Sequence, residues 1–237
     1  MSDAREQILG GIRRSLKRGA LEGEQAAALE DRLRRHAPNL VPGRAFGIAP
    51  RQLVDLFETQ ASEVLATVAR VRSLDAVPDA VAEYLAGRNL PPEMTMAPDP
   101  LLDRAPWGKR PLLKIRRGAA DGKEPAGVSA AFAAVAETGT LMLTSGKDSP
   151  ATLNFLPDTH IVVLPASRMV GPMEAAWARL RHAFAPPDED IGGSSMPRTI
   201  NFITGPSRTG DIEQKIEMGA HGPRRLHIIV VEDETLR

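Results

Sequence analysis

The chain has 237 residues, 42% of them hydrophobic and 25% charged, and its 30 basic residues balance 30 acidic ones. That composition is globular and long enough to bury a substantial core, and the zero net charge argues against a dedicated nucleic-acid surface. With no cysteine, the chain has neither disulfides nor thiolate ligands for an iron–sulfur cluster, so any electron-transfer centre must belong to a partner. The charged first residues and the lack of an apolar run of bilayer length lead to the expectation of a cytoplasmic protein with no membrane contact.

From Ser2 to His36, Ala4, Ile8, Ile12 and Leu16 recur at helical spacing, and Ala26, Leu29 and Leu33 form a second stripe. This predicts a helical arm over residues 1–40 ahead of an α/β domain over 41–237. The arm has little apolar surface and is expected to pack on the body or on another protomer. In the body, helices around Leu53–Val64 and Val77–Leu85 alternate with strands at Thr67–Val71 and Met94–Ala97, the pattern of a parallel sheet. Residues 98–127 are rich in Pro and Gly and form an excursion of unspecified path. Thr140–Leu143 and His160–Leu164 read as central strands covered on both faces, Met173–Phe184 as a helix, 186–197 as a loop and Leu226–Val231 as the strand that closes the sheet.

Three short motifs carry chemistry. Ile200–Thr204 feeds Gly205-Pro206-Ser207-Arg208-Thr209, which reads as a strand, a polar turn and a helix start, where backbone N–H groups gather around an anion. Arg208 offers charge-assisted bonds to a carboxylate or phosphate, and Ser207 and Thr209 offer hydroxyls. The competing reading is a capped helix start, with Thr209 as N-cap and Arg208 paired to Asp211 or Glu213. In Glu137-Thr138-Gly139-Thr140, Glu137 suits a general base or nucleophile, or equally a carboxylate that locks its own turn, and Gly139 permits close backbone approach. His221-Gly222, between Gly219 and Pro223, suits an acid, a base or a ligand donor, or else a helix C-cap. His160 and His227 fall at or in predicted strands and are read as structural.

No HExxH motif or close His–carboxylate pairing is present, so no metal is expected. GxGxxG and P-loop patterns are also absent. Lys109, Arg110, Lys114, Arg116 and Arg117 form a basic cluster beside Trp107, read as a solvated surface.

Taken in order over Val128 to Val231, Ala136-Glu137-Thr138-Gly139-Thr140-Leu141, Leu156-Pro157 before His160, Gly205-Pro206-Ser207-Arg208-Thr209 with Asp211-Ile212-Glu213, and Gly219-Ala220-His221-Gly222-Pro223 resemble the LUD-domain family, in its lactate utilization C branch. The resemblance implies a three-layer α/β/α sandwich with a mostly parallel sheet, similar to the NagB/RpiA/CoA-transferase group, plus an N-terminal helical extension. It also implies a part in oxidising L-lactate to pyruvate beside LutA-like and LutB-like iron–sulfur partners, with no cofactor in this chain. The ligand would be a small carboxylate or a phosphate-bearing molecule. The candidate ligand-binding residues are then Glu137, Thr138, Gly139, Thr140, Gly205, Pro206, Ser207, Arg208, Thr209, His221 and Gly222, with no catalytic residue assigned. The alternative is a free-standing CoA-transferase-like or sugar-phosphate-isomerase-like enzyme with Glu137 as nucleophile or base. Two departures stand out: Gly210 replaces an alanine common in relatives, which should weaken the expected helix start, and the segment before Leu156-Pro157 lacks an arginine that some relatives carry. Arg208 or Lys147 would have to compensate for that arginine.

Overall fold

A computed structural model of the chain describes residues 2–19, 21–41, 43–184, 196–210 and 215–232. It divides into two compact units, Met1–Val41 and Pro42–Arg237. The first holds α1 (Ser2–Ser15) and α2 (Gly23–Arg35). Their apolar stripes are exposed, Ile12 by 50% and Leu33 by 72%.

The second unit begins with α3 (Pro50–Glu63), whose proline stands where a missing N–H costs nothing. Next come β1 (Thr67–Val71), α4 (Val77–Gly87) and β2 (Glu93–Met96). The unspecified excursion contains α5 (Pro100–Asp103), started by the Asp99 carboxylate accepting from the Leu101 N–H at 2.8 Å, then β3 (Lys114–Arg117) and the start of β4 (Ala126–Ala130). The chain continues through β5 (Ala133–Val135), β6 (Thr140–Thr144), β7 (Thr159–Pro165), β8 (Met169–Val170) and α6 (Met173–Ala183). It ends with β9 (Ile200–Ile203), β10 (Arg208–Thr209), β11 (Glu217–Met218) and β12 (Arg225–Val231).

Six strands form one sheet in the order β1-β12-β7-β4-β2-β3, every pairing parallel. β7 and β12 are interior strands of this sheet, where Ile161-Val162-Val163-Leu164 and Ile228-Ile229-Val230 are wholly buried. β-branched side chains fit a pleated surface and face alternately to either side, so these strands feed two cores. On one face Ile161, Val163 and Ile229 meet Val81 and Leu85 of α4 and Leu102 of α5. On the other, Val162, Leu164 and Ile228 meet Val54, Phe57 and Ala61 of α3. Helices on both faces of a parallel sheet make the α/β/α arrangement expected.

A second sheet, in the order β8-β5-β6-β9, covers the α3 side. Its outer face packs Ala133, Val135 and Met142 against Ala176 and Leu180 of α6. Two expectations are corrected here. Thr140–Leu143 is a buried strand, but it belongs to this second sheet and pairs antiparallel with β5 and β9. Arg208–Thr209 starts no helix: it is extended and pairs antiparallel with Glu217–Met218. Thr209 is therefore no N-cap, and the cost assigned to Gly210 as a helix residue does not arise. Asp211, Ile212 and Glu213, and most of the 186–197 loop, lie outside the described residues.

Among the basic cluster, four cations have acidic partners: Arg110 with Asp79 (2.7 Å), Lys114 with Glu93 (2.6 Å), Arg116 with Glu124, and Arg117 with Asp103. Such paired charges leave little field for nucleic acid.

Candidate functional site

The loop after β9 and the loop before β12 are tied together through one residue. Ser207 donates its N–H to the Pro223 carbonyl at 2.8 Å, and its own carbonyl accepts from the Gly219 N–H at 2.8 Å. Its hydroxyl oxygen also accepts from the His221 N–H at 3.1 Å. With backbone and side chain both engaged, Ser207 fixes the two loops in one register.

Between them lies a cavity of about 380 Å³ lined by Gly205, Pro206, Ser207, Arg208, His221 and Gly222, together with Asn154, Phe155, Phe202, Ile203, Thr204, Pro223 and Leu226. That volume suits a small ligand. Two of the three motifs thus converge. Arg208 is exposed at the rim, and no described acidic residue lines the cavity. Phe202, backed by Trp177 at 5.3 Å between ring centroids, forms an apolar side. A second cavity of equal volume sits over β2 and β3, but its Lys114, Glu93, Arg116 and Glu124 satisfy one another.

The third motif reaches the cavity indirectly. Glu137 is half-buried and does not line it; its N–H donates to the Gly171 carbonyl at 3.2 Å. Thr138 and Thr140 are joined hydroxyl to hydroxyl at 2.7 Å, and Thr140 is joined at 2.8 Å to the hydroxyl of Thr204, which does line it. Gly139 makes the close approach expected of it, but toward protein: with φ at +64°, a Cβ there would stand 2.4 Å from the Ala61 nitrogen of α3. Gly205 repeats this at the end of the same helix, with φ at +83° and a Cβ position 2.3 Å from the Val64 carbonyl. Thr209 is buried in β10, and Lys147 is exposed away from the cavity lining.

The site is not where a parallel sheet usually binds ligands. Such crevices open at the carboxyl ends of strands, whereas Asn154, Pro223 and Leu226 stand at the amino ends of β7 and β12. Sequence reasoning missed Asn154, Phe155 and Thr204. Thr204 directly follows β9, the strand that feeds the motif, and was legible by position. Asn154 is 2% exposed, and its carboxamide oxygen has no hydrogen-bond partner, which only the folded chain reveals.

Two histidines lie in the parallel sheet, outside the cavity lining. His160, fully buried in β7, bonds through Nε2 to the Ser129 hydroxyl at 2.7 Å, and burial pushes its imidazole down to about 3. His227 stacks on Tyr84 at 3.9 Å and bonds through Nδ1 to the Thr67 hydroxyl at 2.8 Å. Burial is the largest influence on it too, and holds it at about 4.

Comparison with known proteins agrees with this architecture. The crystal structure of a DUF162 family protein from Deinococcus radiodurans has the same fold, with a TM-score of 0.55 at 22% identity over 78% of this chain and 99% of that one. Lactate utilization protein C of Geobacillus thermodenitrificans is 39% identical over 115 residues, 48% of this chain and 45% of that protein. The Bacillus subtilis protein of the same name is 38% identical over 112 residues, 46% of this chain and 44% of its own length. The chain thus matches less than half the length of these curated relatives. The LUD domain itself matches residues 54–231, which takes in every strand of both sheets, and the chain belongs to the LUD-domain family.

Proposed function

We propose that this protein is a non-redox component of a lactate-utilization system, binding a small carboxylate in the Arg208 cavity and acting beside LutA-like and LutB-like iron–sulfur partners. The observation that carries the reading is the cavity's charge: one guanidinium at the rim, hydroxyls and an amide in the wall, and no acidic side chain among the described residues that line it. The names of the similar Geobacillus and Bacillus proteins support lactate utilization as the setting. A chain without cysteine suits a division of labour in which electrons pass through partners.

Magnitudes favour a weak, cooperative site. A charge-assisted hydrogen bond contributes about 1.5–3 kcal/mol and an exposed ion pair about 0–1. A millimolar Kd takes about 4 kcal/mol. Arg208 alone falls short, so the rest of the lining must supply the remainder. Glu137 makes its identified backbone bond away from the cavity lining, so the enzyme reading with Glu137 attacking a ligand held at Arg208 has no geometric support.

The partner half of the proposal is tested by gentle affinity purification from the source cells grown on lactate. Recovery of LutA-like and LutB-like chains in defined ratio is expected. Their consistent absence, with the tagged protein intact, would contradict it.

A further inference from the structure

Thr138, Thr140 and Thr204 form a chain of three hydroxyls that runs from a surface turn, through a side chain only 2% exposed, to the cavity. Each hydroxyl has a single proton to donate. Two links consume two protons; if both ends donated to Thr140 its own proton would be stranded in the interior, so the remaining proton sits at whichever end the chain points toward. With Thr138 donating to Thr140 and Thr140 to Thr204, the free proton is on Thr204, a residue that lines the cavity. With the direction reversed, Thr204 turns only lone pairs to it.

An anion in the cavity selects the first direction. A carboxylate accepts hydrogen bonds and makes none, so it is attracted by the outward proton and repelled by outward lone pairs. Hydrogen-bonded chains also polarise one another, so the buried Thr140 strengthens the donor at Thr204. The position of Thr204 fits such a role. It stands one residue past β9, beyond the last strand pair Leu141–Ile203, and directly before the Gly205-Pro206-Ser207-Arg208 loop.

Resting on the small-carboxylate reading of the cavity, we propose that Thr204 is a further ligand-binding residue, donating its hydroxyl proton to the carboxylate, and that Thr140 and Thr138 are positioning residues that act through it without touching the ligand. The glutamate–threonine–glycine–threonine motif therefore serves the site from behind its wall.

The test is calorimetric titration of L-lactate into the full-length protein, its LutA-like and LutB-like partners being present if the complex is what binds. Thr204→Val is expected to weaken binding about five- to tenfold and Thr140→Val about threefold. Thr140→Val combined with Thr204→Val should bind no more weakly than Thr204→Val alone, and Thr140→Ser should restore wild-type affinity within twofold. A hydroxyl chain that merely ties β6 to β9 would lower the unfolding temperature in these variants but leave affinity unchanged, and that result overturns the assignment. Losses that multiply in the double variant overturn it too. If Thr140→Val fails to fold, Thr138→Val breaks the same chain at its exposed end and is expected to weaken binding about twofold; wild-type affinity there would count equally against it. Arg208→Ala separates the two levels: binding that ignores Arg208 removes the cavity reading itself, whereas binding lost in Arg208→Ala but unmoved by the threonine variants removes only the hydroxyl chain.

Discussion

Gly139 and Gly205 show how a binding motif and a packing motif occupy the same residues. Both have positive φ, and both press against the C-terminal end of α3, at Ala61 and at Val64, the residue that caps it. A side chain at either position would meet backbone atoms that cannot swing aside, in a conformation that L-residues seldom adopt. Gly139→Ala and Gly205→Ala should each destabilise the fold by more than about 2 kcal/mol. Urea unfolding would show this as a lowered midpoint; midpoints equal to wild type would mean that α3 yields more readily than its packing implies. Ser207 carries a smaller share. Ser207→Ala removes the acceptor for the His221 N–H and should cost about 1 kcal/mol while loosening the cavity floor. The same titration method would detect it as weaker carboxylate binding with a modest loss of stability.

At the scale of elements, legibility followed burial. Thr67–Val71, His160–Leu164, Leu226–Val231 and the α6 stripe were readable because continuous or periodic apolar residues leave few alternatives. The second sheet was not, since Thr140–Leu143 carries the same apolar signal whichever sheet receives it, and a partner distant in sequence, Ile200–Ile203, decides the matter. Arg208–Thr209 misled for a related reason. Small hydroxylated residues serve helix caps and strand turns alike, and pairing with Glu217–Met218 settled the choice. Of the candidate site, Gly205–Arg208 and His221-Gly222 were legible as two separate motifs, but their convergence on one cavity was not. The contribution of Asn154 and the position of the cavity at the amino ends of β7 and β12 were not, because both depend on tertiary neighbours. Cavity residues on short loops held by a few hydrogen bonds should be among the less protected in the unit. Amide exchange is expected to be faster at Gly222 than at Ile228, with equal protection contradicting that picture.

For the whole molecule, the two buried histidines set an acid limit. In the folded state His160 is held near 3 and His227 near 4, both below the ordinary value of 6.5. The unfolded chain therefore binds more protons between those values, so stability is complete above about pH 6.5 and declines as pH falls toward them. Each histidine contributes up to about 1.4 kcal/mol per pH unit in that window. Unfolding temperatures should hold level from pH 7.5 to about 6.5 and fall steadily below it, and His160→Gln should flatten part of the slope even though it disturbs the Ser129 bond. A flat profile in the wild type would show that the two imidazoles are reached by protons without unfolding. No helix among the described residues is long and apolar enough to cross a membrane.

The most direct measurement of the central claim is thermal unfolding of wild type and Arg208→Ala, with L-lactate, pyruvate, CoA, NAD and sugar phosphates added in turn. A ligand at a hundred times its Kd stabilises by about 2.7 kcal/mol, which for this chain length raises the unfolding temperature by roughly 5–10 °C. The account predicts such a rise with the small carboxylates and its loss in Arg208→Ala. A rise that survives in Arg208→Ala, or one produced only by the larger compounds, would contradict it.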